Sequence, residues 1–334
     1  MKLLRYILFP VVPIYFLVIW LRNKLYDFGL KSSVRYDLPI ICVGNLSVGG
    51  TGKTPMIEYL IRFLQTDYKI ATLSRGYKRS TKGFVIADKN ATALSVGDEP
   101  FQFYQKFKNV IVSVDADRRN GIRQLLKLHP KPTLILLDDA FQHRKVKAGF
   151  NILLTAFDNL FTDDLLLPTG NLREPKSGAK RAHCIVVTKC PDTITANEKA
   201  KIVNKIQPLP HQKVFFSSID YSNTINNGLK DFELDMLKGA KFTLVTGIAN
   251  ATPLVRYLKS QNLEFDHLNF KDHYEFTESD IKELKSKSAI LTTEKDFVRL
   301  QPHFKNAENL YYLPIKIKVD DASDFENLIE NYLK

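Results

Sequence analysis

Between residues 40 and 64 the chain passes from an apolar run through a glycine-rich turn into a helical pattern. Ile40-Ile41-Cys42-Val43-Gly44-Asn45 leads into Leu46-Ser47-Val48-Gly49-Gly50-Thr51-Gly52-Lys53-Thr54-Pro55, and apolar side chains then recur at helical spacing as far as Leu64. Strand, glycine-rich loop and helix in that order is the context in which a Gly-Lys-Thr string holds phosphate. Backbone N–H groups from Ser47 through Gly52 would converge on phosphate oxygens, and the helix N-terminus adds a favourable dipole. Lys53 would reach the β- and γ-phosphates of ATP, and Thr54 would ligate Mg2+. Ser47 stands where the first glycine of G-x-x-x-x-G-K-[ST] is usual. The plain alternative is an ordinary strand-to-helix turn; the agreement of strand, loop and helix argues against it.

A second group of candidates follows the apolar run 133–137, which ends in Asp138-Asp139. Paired acids after a buried strand have the shape of a Walker B element, whose carboxylate sits beside the P-loop metal. The alternative is that they cap the next loop. Arg75, Arg118 and Arg173 each lie at a strand end or helix start, where a phosphate-bearing substrate is held. Asp98, in Gly97-Asp98-Glu99-Pro100, reads equally as a helix N-cap and as a reactive carboxylate. His143 and His273 are each ambiguous between surface and site.

These residues need a frame. The chain has 334 residues, 44% of them hydrophobic, and a formal net charge of +12. That is core enough for one large or two ordinary domains, and the surplus of positive charge favours anionic partners. Three cysteines, Cys42, Cys184 and Cys190, have no metal-ligand spacing and lie in or near apolar runs, which suits a reducing compartment.

Strand-like runs at 40–45, 69–74, 110–114, 133–137, 151–155 and 184–188 alternate with helical patterns. That alternation predicts an α/β fold: a P-loop-containing, mainly parallel sheet with helices on both faces. The texture changes after Leu209-Pro210. Further runs at 242–247, 268–270 and 289–292 predict a second, smaller α/β domain. The division expected is an N-terminal apolar membrane-associated helix over 1–30 and a P-loop kinase domain over 31–213. A two-stranded linker from 214–221 and 311–319, the smaller domain over 222–310 and a closing helix over 320–334 complete it.

The N-terminal run 6–21 is about 16 residues, short of the ~20 that a spanning helix needs, and Pro10 and Pro13 would kink it. Lys2, Arg5, Arg22 and Lys24 bracket it with positive charge, while Tyr15 and Trp20 suit a headgroup zone. A helix dipping into an anionic bilayer fits best; the alternative is a buried core helix.

Other P-loop classes fit less well. After Asp139 comes Ala-Phe-Gln without the glycine of a GTPase, and Thr188-Lys189-Cys190-Pro191-Asp192 has the wrong first residue and spacing for its base-reading motif. Val48 occupies the place of the first lysine of a partitioning ATPase, and no nucleic-acid recognition motif is present. No obligate protein partner is evident. A nucleotide-switched, membrane-associated adaptor is the non-enzyme alternative.

Taken together the chain resembles the tetraacyldisaccharide 4′-kinases of lipid A biosynthesis over nearly its whole length. The likeness rests on the apolar N-terminus, Val43-Gly44-Asn45 running into Gly49-Gly50-Thr51-Gly52-Lys53-Thr54-Pro55, Ser74-Arg75-Gly76-Tyr77, Gly97-Asp98-Glu99-Pro100 and Asp138-Asp139-Ala140-Phe141-Gln142-His143. It continues in Leu172-Arg173-Glu174-Pro175, Asp272-His273 and Thr293-Glu294-Lys295-Asp296. Ala140, Thr169-Gly170-Asn171 and Tyr274 depart from the family's usual residues. The resemblance implies Mg2+- and ATP-dependent phosphorylation of the 4′-hydroxyl of a tetraacylated glucosamine disaccharide 1-phosphate, at the cytosolic face of the inner membrane. It implies Asp98 as base with His273 as its orienting partner. Glu99 joins Thr54, Asp138 and Asp139 as a metal candidate. Asn45, Gln142, His143 and Glu174 join Arg75, Arg118 and Arg173 on the substrate side.

Overall fold

The structure is a computed structural model that describes residues 5, 7–272, 274–304 and 309–334. Its larger sheet has nine strands: β1 (Ile40–Asn45), β2 (Ile70–Ser74), β3 (Val85–Ile86), β4 (Ile111–Val114), β5 (Leu134–Asp138), β6 (Phe150–Ala156), β7 (Cys184–Thr188), β8 (Lys213–Tyr221) and β15 (Ile315–Val319). They lie in the order β15-β8-β7-β6-β1-β5-β2-β4-β3, parallel except for β3 and β15 at the two edges. Every residue of β1, β2, β5 and β7 is buried. Their near-continuous apolar runs are what a parallel sheet covered on both faces demands. Along β1 successive side chains feed opposite layers: Ile41 and Val43 join one core, Ile40 and Cys42 the other.

β1 lies between β5 and β6, and the chain leaves it towards β2 on one side and reaches β6 later on the other. Ligands of such sheets bind beyond the carboxyl ends of the strands at this kind of reversal. The helix Lys53–Leu64 starts there and buries Met56, Ile57, Leu60, Ile61 and Leu64.

The second sheet has six strands, β9 (Thr224–Asn226), β10 (Asp231–Glu233), β11 (Phe242–Thr246), β12 (Phe265–Asn269), β13 (Ile290–Thr293) and β14 (Leu310–Leu313), in the order β10-β9-β14-β13-β11-β12. β11, β12, β13 and β14 are parallel, while β9 and β10 form a short antiparallel edge. The edge falls in a stretch whose polar composition masked it in the sequence.

β8 and β15 pair antiparallel, from Tyr221 opposite Ile315 to Ser217 opposite Val319. β8 also pairs with β7, so these two strands complete the large sheet rather than standing as a free ribbon. The run 311–319 is not one strand. Pro314, without an N–H to donate, separates β14 in the small sheet from β15 in the large one. The chain therefore crosses between sheets twice at one place, where the Ser222 amide donates to the Pro314 carbonyl at 3.0 Å. The final helix, Ala322–Leu333, buries Phe325 and Ile329 in the first core, and Tyr332 accepts a hydrogen bond from the Ile40 amide at 3.0 Å.

The N-terminal helix runs Val12–Asp27 after a 3-10 turn, and none of its residues is buried, which excludes a core helix. Val12 and Tyr15 lie against the sheet's core, while Ile14, Leu17, Val18 and Leu21 face outward. Among the described residues no helix is long and apolar enough to cross a membrane.

Candidate active site

The phosphate loop is stitched to its surroundings on every side. Gly44 has no room for a side chain: a Cβ there would lie 2.6 Å from that of Phe141, so the loop after β5 presses directly on β1. Gly49 and Gly52 adopt positive φ, +109° and +84°, which an L side chain rarely tolerates. Asn45 is fully buried and its amide donates to Thr51 Oγ1 at 2.7 Å. Thr188 Oγ1 donates to the Thr51 carbonyl at 2.8 Å, and Lys189 Nζ to the Gly50 carbonyl at 2.6 Å. Ser47 bridges to Leu172, and the Val48 amide donates to the Asn171 carbonyl at 2.8 Å. Of the loop amides read from sequence as phosphate ligands, those of Val48 and Thr51, the latter donating to the Gly49 carbonyl at 3.1 Å, are therefore committed to protein. Lys53 and Thr54 open the helix that follows.

The two acids after β5 are held differently. Asp139, at φ +48°, takes both ends of the Arg173 guanidinium, Nη1 at 3.1 Å and Nη2 at 2.7 Å, with Lys53 Nζ 3.9 Å away. Burial alone would raise its pKa; Lys53 and Arg173 outweigh that and hold it below the usual range. Asp138 is buried, accepts from Ser74 Oγ at 3.2 Å, and its Oδ1 has no hydrogen-bond partner. Burial and the charge of Asp139 push its pKa up to about 6. A buried carboxylate oxygen without a partner is costly unless something completes it.

Several residues assigned from sequence to the substrate side lie beneath the site. Arg118 is 2% exposed, with its guanidinium on the backbone carbonyls of Asp115, Ala116, Asp138 and Asp139 at 3.3–3.4 Å. It clamps the loop that follows β5 and does not face a solvent-borne phosphate. Glu174, 1% exposed, takes Arg181 on both oxygens at 2.7 and 2.8 Å, Gln142 at 2.8 Å and Asn23 at 3.1 Å. Gln142 also donates to the Asn45 carbonyl. Asn45, Gln142 and Glu174 thus form a support under Arg173, whose Nη2 also bonds Asn45. Burial and Arg118 lower the His143 pKa to about 4, so the imidazole is neutral and its 3.6 Å approach to Asp117 is no ion pair. Arg75 is exposed at the end of β2.

The N-terminal helix touches the same support. Tyr15 donates to the Arg173 carbonyl at 2.9 Å and Arg22 to the Gln142 carbonyl at 2.9 Å. Arg144 reaches back to the Asn23 carbonyl and Asp27, each at 2.8 Å.

Asp98 opens the helix Asp98–Lys106, whose N-cap is Gly97 at φ +96° with no side-chain cap, so the capping alternative fails. Its carboxylate instead meets Arg299 of the second unit at 2.9 Å. Glu99 lies 3.6 Å from Lys295, and Lys295 lies 3.4 Å from Asp272. The charge of Glu99 also adds to the upward push on the Asp138 pKa. His273 lies outside the described residues. The sequence reading missed Ser74, Lys189, Lys295 and Arg299. The last two lie in or just after the string Thr293-Glu294-Lys295-Asp296, which carried the resemblance without a role.

The residues fit Mg2+ and ATP. Among the described residues no cluster of three or more His, Cys, Asp or Glu would hold a metal by itself. Mg2+ needs no such cage: it is usually bound through one or two carboxylates together with substrate phosphates. The partnerless Asp138 oxygen and the Thr54 hydroxyl suit that donor set. Asp139, already matched by two cations, suits it less, and Glu99 stands as a further candidate.

The model of the Tetraacyldisaccharide-1-P 4′-kinase family matches residues 4–334. The chain belongs to this family. The tetraacyldisaccharide 4′-kinase of Flavobacterium johnsoniae is 51% identical over 338 residues, covering 100% of this chain and 98% of that one. The corresponding enzyme of Phocaeicola vulgatus is 43% identical, covering 98% and 94%. Among solved structures, the "apo" form of LpxK from Aquifex aeolicus in complex with ATP is 32% identical with a TM-score of 0.80, covering 99% of this chain and 100% of that one.

Proposed function

We propose that this chain transfers the γ-phosphoryl group of ATP to the 4′-hydroxyl of a tetraacylated glucosamine disaccharide 1-phosphate, giving lipid IVA. The carrying observation is the convergence of Lys53 and Arg173 on Asp139 beside the partnerless Asp138, at the carboxyl end of β1 and β5. Lys53 and Arg173 neutralise the charge that spreads over the transferring phosphoryl oxygens. Bound Mg2+ supplies further neutralisation of the phosphates. Asp98 takes the proton of the acceptor hydroxyl as its oxygen bonds the phosphorus and ADP departs. His273 orients that carboxylate.

The outward apolar ridge of the N-terminal helix, with Arg22 and Lys24 near its end, docks on an anionic bilayer surface and presents the lipid head group to the site. The nucleotide-switched adaptor is disfavoured by the family. Purified protein with labelled ATP distinguishes the two: phosphoryl transfer that depends on added disaccharide lipid supports the kinase, while equal ATP turnover without it supports the adaptor.

A further inference from the structure

The structure assigns Arg299 as a positioning residue for Asp98, so that the second unit holds the base of the first in its working orientation. The inference rests on the reading of Asp98 as base.

Arg299 comes from the helix Glu294–Leu300. Its Nε lies 2.9 Å from Asp98 Oδ2, and its Nη2 contacts the same oxygen. Two donors of one planar group on one oxygen fix the direction of a carboxylate as a single flexible ammonium would not. Arg299 is itself held. Its Nη1 lies 3.4 Å from Asp296 Oδ1, and Asp296 is fully buried. Asp296 in turn accepts from the Gly247 amide at 2.8 Å and from Thr293 Oγ1 at 2.7 Å. A Cβ on Gly247 would stand 2.9 Å from Asp296 Oδ1, so only glycine lets that amide approach so closely. A fixed line of contacts thus runs from the backbone after β11 through Asp296 and Arg299 to Asp98.

The same short segment grips the P-loop unit twice more. Lys295 lies 3.6 Å from Glu99, and Glu294 takes Lys106 at 2.6 Å from the far end of the Asp98–Lys106 helix. The second unit is therefore tied along the helix that carries Asp98. A reacting group must be held within about 0.5 Å of its productive position by neighbours that are locked themselves, and Arg299 is one neighbour so locked.

The test is steady-state kinetics of Arg299→Met, Arg299→Lys, Arg299→Ala and Asp296→Asn with ATP and disaccharide lipid, each checked for folding by its melting curve. We expect Arg299→Met to lower kcat by about a hundredfold with KM for ATP within about twofold, since the contact concerns the acceptor's proton and not the nucleotide. Arg299→Lys should recover part of that loss, and Asp296→Asn should show a smaller one. Added guanidinium chloride at millimolar concentration should raise kcat of Arg299→Ala, which a purely architectural arginine would not allow. In an Asp98→Asn background, Arg299→Met should add almost nothing. Wild-type kcat in a folded Arg299→Met overturns the inference. If Arg299→Met and Arg299→Ala do not fold, a folded Arg299→Lys with unchanged kcat overturns it equally. Failure of the underlying reading looks different: Asp98→Asn alone would keep its kcat.

Discussion

Lys53 and Arg173 reach the same carboxylate from different directions, one from the phosphate loop and one from the loop 165–173 that is sewn to it. In the proposed reaction Lys53 opposes negative charge that grows toward the transition state, so Lys53→Ala should reduce kcat far more than tenfold while the melting curve stays close to wild type. Retention of a tenth of kcat, a loss of only ~1.4 kcal/mol, would contradict the phosphate-loop assignment. Glu174 makes the opposite kind of prediction. Removing it leaves the Arg181 guanidinium without its carboxylate, so Glu174→Ala should destabilise the protein by about 3 kcal/mol or more, read in a denaturant titration. At this scale the sequence showed residue types and spacing but not depth. Lys53 and Thr54 could be placed at a helix start because strand, turn and helix follow one another there, and Asp138 and Asp139 at a strand end because they close an apolar run. Arg118 read as substrate-facing because charge is visible in a sequence and burial against backbone carbonyls is not; Asn45 and Glu174 joined it through the resemblance, which carries no depth either.

The N-terminal helix has an inner face against the site and an outward apolar face. Its inner face makes the Tyr15 and Arg22 contacts under the site, so deletion of residues 1–22 would disturb Arg173 along with any membrane contact. Replacing the outward Ile14, Leu17, Val18 and Leu21 with serine is the cleaner change. It should weaken partition onto anionic vesicles by roughly tenfold or more with the melting temperature little changed; undiminished vesicle binding would place the anchor elsewhere. Between the units, Glu294 is buried, and burial and neighbouring Glu58 push its pKa up to about 7 against the pull of Lys106 and Arg62. An acid that holds its proton more tightly folded than unfolded weakens the fold as pH rises from its ordinary value through the folded one. Stability should therefore fall between pH about 4.5 and about 7, and Glu294→Gln, with no charge to bury, should flatten that slope. An unchanged slope in the variant would assign the pH dependence to other groups. The pattern of strands was legible because fully covered parallel strands are apolar throughout. The short strands β9 and β10 were not, since an exposed edge carries no such signature.

Across the whole molecule, the proposed phosphoryl transfer draws on both units. Lys295 joins Glu99 of the P-loop unit to Asp272, which keeps Asp272 beside the helix of Asp98. Asp98→Ala and His273→Ala should each lower kcat strongly with ATP affinity little changed, and the double variant should be hardly worse than the poorer single one. Strictly additive losses would separate His273 from Asp98. That two sheets would form was visible in the sequence; which side chains meet across them was not, because Asp98 and Arg299 are two hundred and one residues apart and no local spacing relates them. The measurement that bears most directly on the central claim is the position of the transferred phosphate. Purified protein, Mg2+, ATP and tetraacylated disaccharide 1-phosphate are incubated together, and the product is assigned by phosphorus–proton correlation NMR. A 4′-kinase gives one new monoester on the 4′-oxygen, absent with Lys53→Ala. A new phosphate on the existing 1-phosphate, or none on the lipid while ATP is consumed, would contradict that claim.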